Sequence, residues 1–363
     1  MLLALCLAAG AVFLPDSAVA QKTQRKASDP QRNAQRGVPY GDNEEVMRWA
    51  DDMAERRDLD RAWVRQAMAR AQLLPTVARL MQPAPAGAAK NWRVYRSRFI
   101  DPIRINAGVR FWRENQANLE RAEKEYGVPA EIIVAIVGVE TLYGQHMGNF
   151  RVVDALSTLA FNFPQSHPRA AERSEFFRNE LEQFFMLQSR TQGDPLKPLG
   201  SYAGAMGMPQ FMPSSWVRWA LDYDGDSVVD LFRSPADVIG SVANYFRSYG
   251  WQSGMPTHYP VSFDPTRLDK EALLAPDILP TFGVASFTAK GAVLEGSALE
   301  HQGPLALVEL QNGDGEPQYV AGTENFYVIT RYNWSSYYAM AVIELAREVK
   351  AAIKPSPGSE SRG

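Results

Sequence analysis

Cysteine is all but absent from this chain. The only one, Cys6, lies in the first apolar stretch, so the rest of the chain has no disulfide, no thiol nucleophile and no thiolate-bound zinc. Histidine is scarce as well. His146, His167, His258 and His301 are the whole supply, and no two stand four residues apart, which argues against a helix-borne zinc hydrolase. Charge of one sign is also missing: the net charge is -3, which argues against a nucleic-acid partner. The chain is nonetheless long enough, at 363 residues, to bury a sizeable core in two or three domains.

The start of the chain reads as a segment that directs export. An apolar stretch over 2–14, too short to span a membrane comfortably, leads to Ala18-Val19-Ala20, an A-x-A cleavage pattern before Gln21. One departure is plain: no Lys or Arg precedes the apolar run. Leu5 stands where a small residue normally precedes a lipid-bearing Cys, which argues against a lipid anchor at Cys6. Export without disulfides suits a bacterial periplasm. We therefore expect a signal peptide over 1–20 and a polar, basic, flexible linker over 21–41.

Helical periodicity follows. Val46, Trp49, Ala50 and Met53 share one apolar face, and Trp63, Ala67 and Ala71 another. Pro83-Ala84-Pro85-Ala86-Gly87 interrupts the pattern. It resumes over 103–126, marked by Phe111, Leu119 and Ala122, and Gly127-Val128-Pro129 closes that helix and opens the next, with Pro129 suited to a first turn. Further helices are expected over 154–163, 174–192 and 336–352. Ser234-Pro235-Ala236-Asp237 is a helix start, with a cap, a first-turn Pro and an acidic third position; that helix should stop at Gly250. Over 260–322 the texture changes to short Val-, Leu- and Thr-rich runs, with Asn312-Gly313-Asp314-Gly315 as a hairpin turn. The expected layout is an N-terminal helical domain (42–90), a catalytic core (91–259), a small β domain (260–322), a return to the core (323–352) and a disordered tail (353–363).

Glu140 is the residue that most demands an explanation. It ends a run, Ile132 to Val139, that is apolar nearly all round, as in a helix enclosed by protein. A carboxyl there is partly desolvated, which raises its pKa and suits it to general acid catalysis. A buried ion pair would explain the same residue equally well. No second carboxylate is placed like it. Asp154, the nearest rival, is more simply read as a helix cap. Downstream, the segment 200–215 combines three glycines near Ser201 and Gln210, allowing backbone to approach a ligand closely. Arg331-Tyr332-Asn333 sets a cation, an aromatic and an amide side by side.

Taken together these pieces are specific. Gly138-Val139-Glu140-Thr141, Tyr143-Gly144, the Gly204-Ala205-Met206-Gly207 to Gln210-Phe211-Met212-Pro213-Ser214-Ser215 segment, Gly240-Ser241-Val242-Ala243-Asn244-Tyr245-Phe246 and the stretch 326–333 resemble, in order and spacing, the membrane-bound lytic transglycosylase B family, including its soluble form. The resemblance spans roughly 42–347. It implies a mainly α (α+β) fold, with a goose-lysozyme-like helical catalytic core, an N-terminal helical domain and a small β domain. It implies cleavage of the β-1,4 bond between N-acetylmuramic acid and N-acetylglucosamine without water, leaving 1,6-anhydro ends. The matching catalytic acid is Glu140. Ser201 and Gln210 match its hydrogen-bonding pair, and Tyr95, Tyr245, Tyr332 and Asn333 its sugar contacts. Arg173 falls near an arginine of the family's groove, but 165–171 looks like a local insertion and a paired arginine is lost.

The resemblance further implies peptidoglycan glycan strands as substrate, no cofactor for the chemistry, and a monomer that works alone or with cell-wall synthesis and remodelling proteins. Asp222, Asp224 and Asp226 stand at positions 1, 3 and 5 of an EF-hand-like loop, with the Val228 carbonyl at position 7. Ser227 and Arg233 break that pattern at positions 6 and 12. In the resembling family a later Asp closes a variant calcium loop, and Asp237 matches it, one residue further on. A solvated acidic turn is the plainer reading of the loop alone. Two other functions stay open at this stage: a non-catalytic peptidoglycan-binding protein and a muramidase that uses water.

Overall fold

The computed structural model describes residues 37–82 and 90–353. The leader, most of the linker, the proline-rich break and the tail after 353 lie outside the described residues. Among the described residues no helix is long and apolar enough to cross a membrane.

The fold is helical and built around one central helix, Ala130–Thr141, in which every residue from Ile132 to Val139 is buried. A helix apolar on all sides needs neighbours on all sides. Here Pro102–Glu114, Gln116–Tyr126, Pro235–Ser248 and Ser336–Ala352 pack around it. The sequence suggested one helix over 103–126, but the structure has two. Asn115 leaves helical geometry (φ -119°, ψ 19°) and its side-chain amide donates to the Phe111 carbonyl at 2.8 Å, the backbone competition that makes Asn a poor helix-interior residue. Gly127 ends the second helix in the left-handed region, φ +72°. Pro129 is the N-cap of the central helix, one residue before its first turn.

A second group of helices, Glu44–Arg56, Arg61–Arg70, Val152–Phe161 and Ala170–Arg190, continues the main core. Asp154 is not a cap. It lies inside the first turn of its helix, is buried, pairs with Arg151 at 2.6 Å and accepts from the Gln72 backbone N–H at 3.0 Å. It ties the chain's N-terminal segment to the core and is engaged there. Ser234 caps the helix Pro235–Ser248 by accepting from the Asp237 N–H at 3.2 Å.

Between 258 and 322 three antiparallel strands, in the order His258–Pro260, Gly315–Gly322, Ala306–Asn312, make a small sheet. Two short helices that the sequence pattern did not reveal, Lys270–Leu274 and Val284–Ala289, lie in the same stretch. Strand alternation explains the apolar run at 305–310. Ala306, Val308 and Leu310 face the main core, while Leu305 and Leu307 face a second, smaller core with Tyr259, Leu273 and Phe287. The hairpin tip docks onto the short helix Trp92–Ser97: Asn312 Oδ1 accepts from the Arg93 N–H at 3.1 Å and the Gly313 N–H donates to the Lys90 carbonyl at 2.9 Å. The hairpin thereby fixes the helix that carries Tyr95.

Candidate active site

Glu140 stands next to last in the central helix and is half-buried. Burial pushes its carboxyl up from 4.5 to about 7, against a smaller lowering by a hydrogen bond from Tyr338. The C-terminal end of a helix is also electrostatically unfavourable for a carboxylate, so its place in the helix acts in the same direction as burial. The Tyr338 hydroxyl donates to Glu140 Oε1 at 2.5 Å. No cation is paired with Glu140, so the ion-pair reading of this residue falls away among the described residues.

The chain turns sharply after Glu140. Leu142, Tyr143 and Gly144 all have positive φ (+51°, +57° and +86°), a conformation costly for the first two. The turn is held from inside. The Thr141 hydroxyl donates to the Met208 carbonyl at 2.8 Å and accepts from the Gly144 N–H at 3.0 Å. Tyr143 folds back over the central helix, and its hydroxyl occupies the space a side chain at Gly138 would need. Gly138 is therefore required by packing, two residues before the carboxyl.

Thr141 also anchors the glycine-rich loop, whose other side is held by the Tyr332 hydroxyl donating to the Pro209 carbonyl at 2.5 Å. Within the loop Met206 and Phe211 pair through backbone bonds of 2.8 and 3.0 Å. Ser201 Oγ accepts from the backbone N–H groups of Ala203 and Ala205 at 3.3 and 3.1 Å, which leaves its hydroxyl proton to donate outward. Gln210, at φ +51°, uses its amide N–H groups on the Met147 and Gly207 carbonyls at 3.2 and 2.9 Å. Its amide oxygen is left as an acceptor.

Aromatic rings wall the site. Tyr332 stacks on Tyr338 with centroids 6.4 Å apart and planes 12° from parallel, and Tyr245 lies 4.8 Å from Tyr332. The Tyr245 hydroxyl donates to the Arg331 carbonyl at 2.6 Å. Tyr95 packs between Trp92, Phe99 and Tyr337. Burial first, then the nearby Glu140 charge, raises the pKa of Tyr95 and Tyr332, so these hydroxyls remain protonated donors. Asn333 is half-buried beside Tyr332, and its carbonyl accepts from the Ser335 N–H at 2.7 Å. Arg173 is half-buried on the helix Ala170–Arg190, near enough to Tyr202 to lower its pKa against the larger effect of burial. The structure thus gathers Tyr95, Tyr245, Tyr332 and the glycine-rich loop about Glu140, and sets Arg173 beside the residue that follows Ser201.

Tyr338 and Thr141 were missed by sequence reasoning. Both sit in stretches whose helices were expected, but which residue of one helix meets which of another is not written in either segment.

At the acidic loop one oxygen each from Asp222, Asp224 and Asp237 lies within 4.8 Å of the others. Asp226 is outside this group and accepts from the Val228 N–H at 2.8 Å; the Val228 side chain is exposed. Asp237 is fully buried at the floor and accepts from the N–H groups of Tyr223 and Asp230 at 2.7 and 2.8 Å. Burial raises its pKa, and the Asp224 charge adds to that. Three hard oxygen donors converging on one point suit calcium.

Residues 41–347 match the family model described as the transglycosylase SLT domain. The chain is 38% identical over 341 residues to the membrane-bound lytic murein transglycosylase B of Escherichia coli, covering 89% of this chain and 88% of that protein. Among solved structures, the soluble lytic transglycosylase SltB1 of Pseudomonas aeruginosa is 39% identical, with a TM-score of 0.75 over 85% of this chain and 99% of the other. The E. coli lytic transglycosylase Slt35, solved in complex with calcium, is 38% identical, with a TM-score of 0.74 over 90% of this chain and 99% of the other.

Proposed function

The chain belongs to the transglycosylase SLT family and is a lytic murein transglycosylase of the cell envelope that acts on peptidoglycan; from this premise we propose that Glu140 alone supplies its acid and base chemistry. The non-catalytic and water-using alternatives fall away with family membership. The chemistry needs no cofactor.

The observation that carries the assignment is a half-buried carboxyl with a pKa of about 7 and a tyrosine, not a cation, on one oxygen. Ordinary glycosidases divide the work between two carboxyls. Here the protonated Glu140 gives its proton to the glycosidic oxygen, and the bond from that oxygen to C1 of N-acetylmuramic acid breaks. The carbonyl oxygen of the sugar's own acetamido group stabilises the cationic C1. The C6 hydroxyl then attacks C1, its proton returns to Glu140, and the 1,6-anhydro ring closes. The enzyme ends in the protonation state in which it began. The outward Ser201 hydroxyl donates to the acetamido group and orients it. The Gln210 amide oxygen accepts from a sugar hydroxyl. Tyr95, Tyr245, Tyr332 and Asn333 line the sugar path, and Arg173 contacts its far end.

Asp222, Asp224 and Asp237 would hold a calcium ion whose role is structural, since it would relieve the repulsion of three converging carboxylates. The signal peptide over 1–20 would deliver a periplasmic monomer. The layout of helical domain, core and small β domain along 42–90, 91–259 and 260–322 follows the change in texture of the sequence. Clearing of purified sacculi by the wild type and by Glu140→Gln tests the assignment. We expect loss of activity in the variant; a variant that keeps most of its rate contradicts it.

A further inference from the structure

Arg104 is a cation that neither the acid chemistry nor the sugar contacts account for. Its side chain is only 15% exposed, and it ties three pieces of chain together. Nε donates to the Gly138 carbonyl at 3.0 Å, and Nη1 donates to the Arg98 carbonyl at 2.6 Å and to Asp101 Oδ2 at 2.8 Å. Gly138 stands two residues before Glu140 in the central helix. Arg98 ends the helix that carries Tyr95, and Asp101 is the N-cap of the helix on which Arg104 itself stands.

Each contact falls where the backbone needs it. The Gly138 carbonyl accepts from the Leu142 N–H at 3.2 Å, the bond that closes the strained turn after Glu140, and Arg104 supplies a second, shorter bond at the same oxygen. Basic side chains suit the last carbonyls of a helix. Asp101 also accepts from the Arg104 backbone N–H at 3.0 Å through its other oxygen, so one carboxylate grips the residue at its backbone and at its guanidinium. The guanidinium lies over the Phe99 ring, 5.3 Å from its centroid, and the Phe99 and Tyr95 centroids are 5.1 Å apart. A continuous line of contacts thus runs from the helix end at Gly138 through Arg104 and Phe99 to Tyr95. Tyr95 in turn shares a neighbourhood with Glu140: burial first, and then the Glu140 charge, raise its pKa. A planar guanidinium spans two carbonyls and a carboxylate in a fixed geometry that an ammonium on a flexible stem does not reproduce. A site that only needed filling would be served by an apolar side chain, without the cost of desolvating a charge.

We propose that Arg104 is a positioning residue for the reaction, setting the distance between Tyr95, which holds the sugar, and Glu140, which protonates the glycosidic oxygen. The proposal rests on the roles given to those two residues above. Arg104 touches neither the sugar nor the reacting atoms and acts through the two ends of the line it completes. Its loss leaves the strand bound but set wrongly against the acid, and a misplacement of about 1 Å can cost about a hundredfold in rate.

The test is a double-mutant cycle with Arg104→Met and Tyr95→Ala. It is read as kcat/KM for muropeptide release from soluble, uncross-linked peptidoglycan strands, at a temperature well below the Tm of every variant. Each single variant should lose about tenfold or more. The double variant should lose little beyond the worse single, because residues that act through one line of contacts are coupled. A residue that only supports the fold would lower Tm and show no coupling with Tyr95. Arg104→Lys keeps the charge and a donor, so it takes its place in the cycle if Arg104→Met does not fold, and it should recover only part of the rate. Effects that multiply in the double variant, a wild-type rate in both Arg104→Met and Arg104→Lys, or a wild-type rate in Tyr95→Ala would overturn the proposal. Glu140→Gln is not a member of the cycle. A coupled cycle together with an active Glu140→Gln would mean that the acid assignment had failed and the link from Arg104 to Tyr95 had not.

Discussion

The Tyr338 hydroxyl donates to Glu140 Oε1 at 2.5 Å, from the first turn of a helix that packs directly on the helix carrying Glu140. This contact opposes burial. It favours the charged carboxylate, while desolvation favours the neutral acid, and the balance leaves a pKa of about 7. A single group that must give a proton and then take one back is best served by a pKa near the working pH.

Tyr338→Phe removes the lowering contribution, so the Glu140 pKa should rise. The alkaline limb of the kcat/KM profile, expected near pH 7 in the wild type, should move to higher pH. The maximal rate should fall by about tenfold, the scale of one charge-assisted hydrogen bond. A limb that stays in place would show that Tyr338 does not touch the titrating group.

Glu140 also costs stability. Its folded pKa is raised above the unfolded value of 4.5, so the cost is absent below pH 4.5, where both states hold the proton, and reaches its full size as pH rises through about 7. Glu140→Gln, which cannot ionise and still accepts from Tyr338, should therefore be more stable than the wild type at pH 8, by about 3 kcal/mol. The difference should vanish at pH 4, as read from urea unfolding at the two pH values.

Ser201→Ala removes the hydroxyl that accepts from Ala203 and Ala205 while the loop keeps its Met206–Phe211 backbone bonds. If the hydroxyl holds the acetamido group for attack on C1, kcat should fall by about tenfold to a hundredfold with KM changed little, the signature of an interaction stronger in the transition state than in the ground state. A rise in KM alone would make Ser201 a simple binding contact.

Calcium added to chelator-treated protein should raise Tm, with a dependence on concentration expected for a ligand that binds only the folded state. Asp224→Asn should abolish the response. Asp226→Asn should keep most of it, because Asp226 lies outside the converging group. No shift in the wild type would remove the metal from the account.

Much of this was legible from residues alone. The run Ile132 to Val139 announces an enclosed helix, and a lone Glu at its end invites a functional reading. Ser234-Pro235 and Asn312-Gly313 mark a helix start and a hairpin because caps and tight turns are local chemistry. The break at Asn115 was not legible, since apolar periodicity continues across it. The role of Asp154 was not either: its partner, the Gln72 N–H, is 82 residues away. Tyr338 escaped for the same reason, as its contact spans 198 residues and depends on how two helices cross. Over 260–322 the texture announced the strands and their hairpin but not the helices Lys270–Leu274 and Val284–Ala289, which are too short to show a period.

The most direct test is mass spectrometry of the muropeptides released from purified peptidoglycan by the protein, with Glu140→Gln alongside. The account predicts 1,6-anhydro ends from the wild type and none from the variant. Reducing ends from the wild type, or anhydro ends from Glu140→Gln at a comparable rate, would contradict a single carboxyl that returns its substrate's proton to itself.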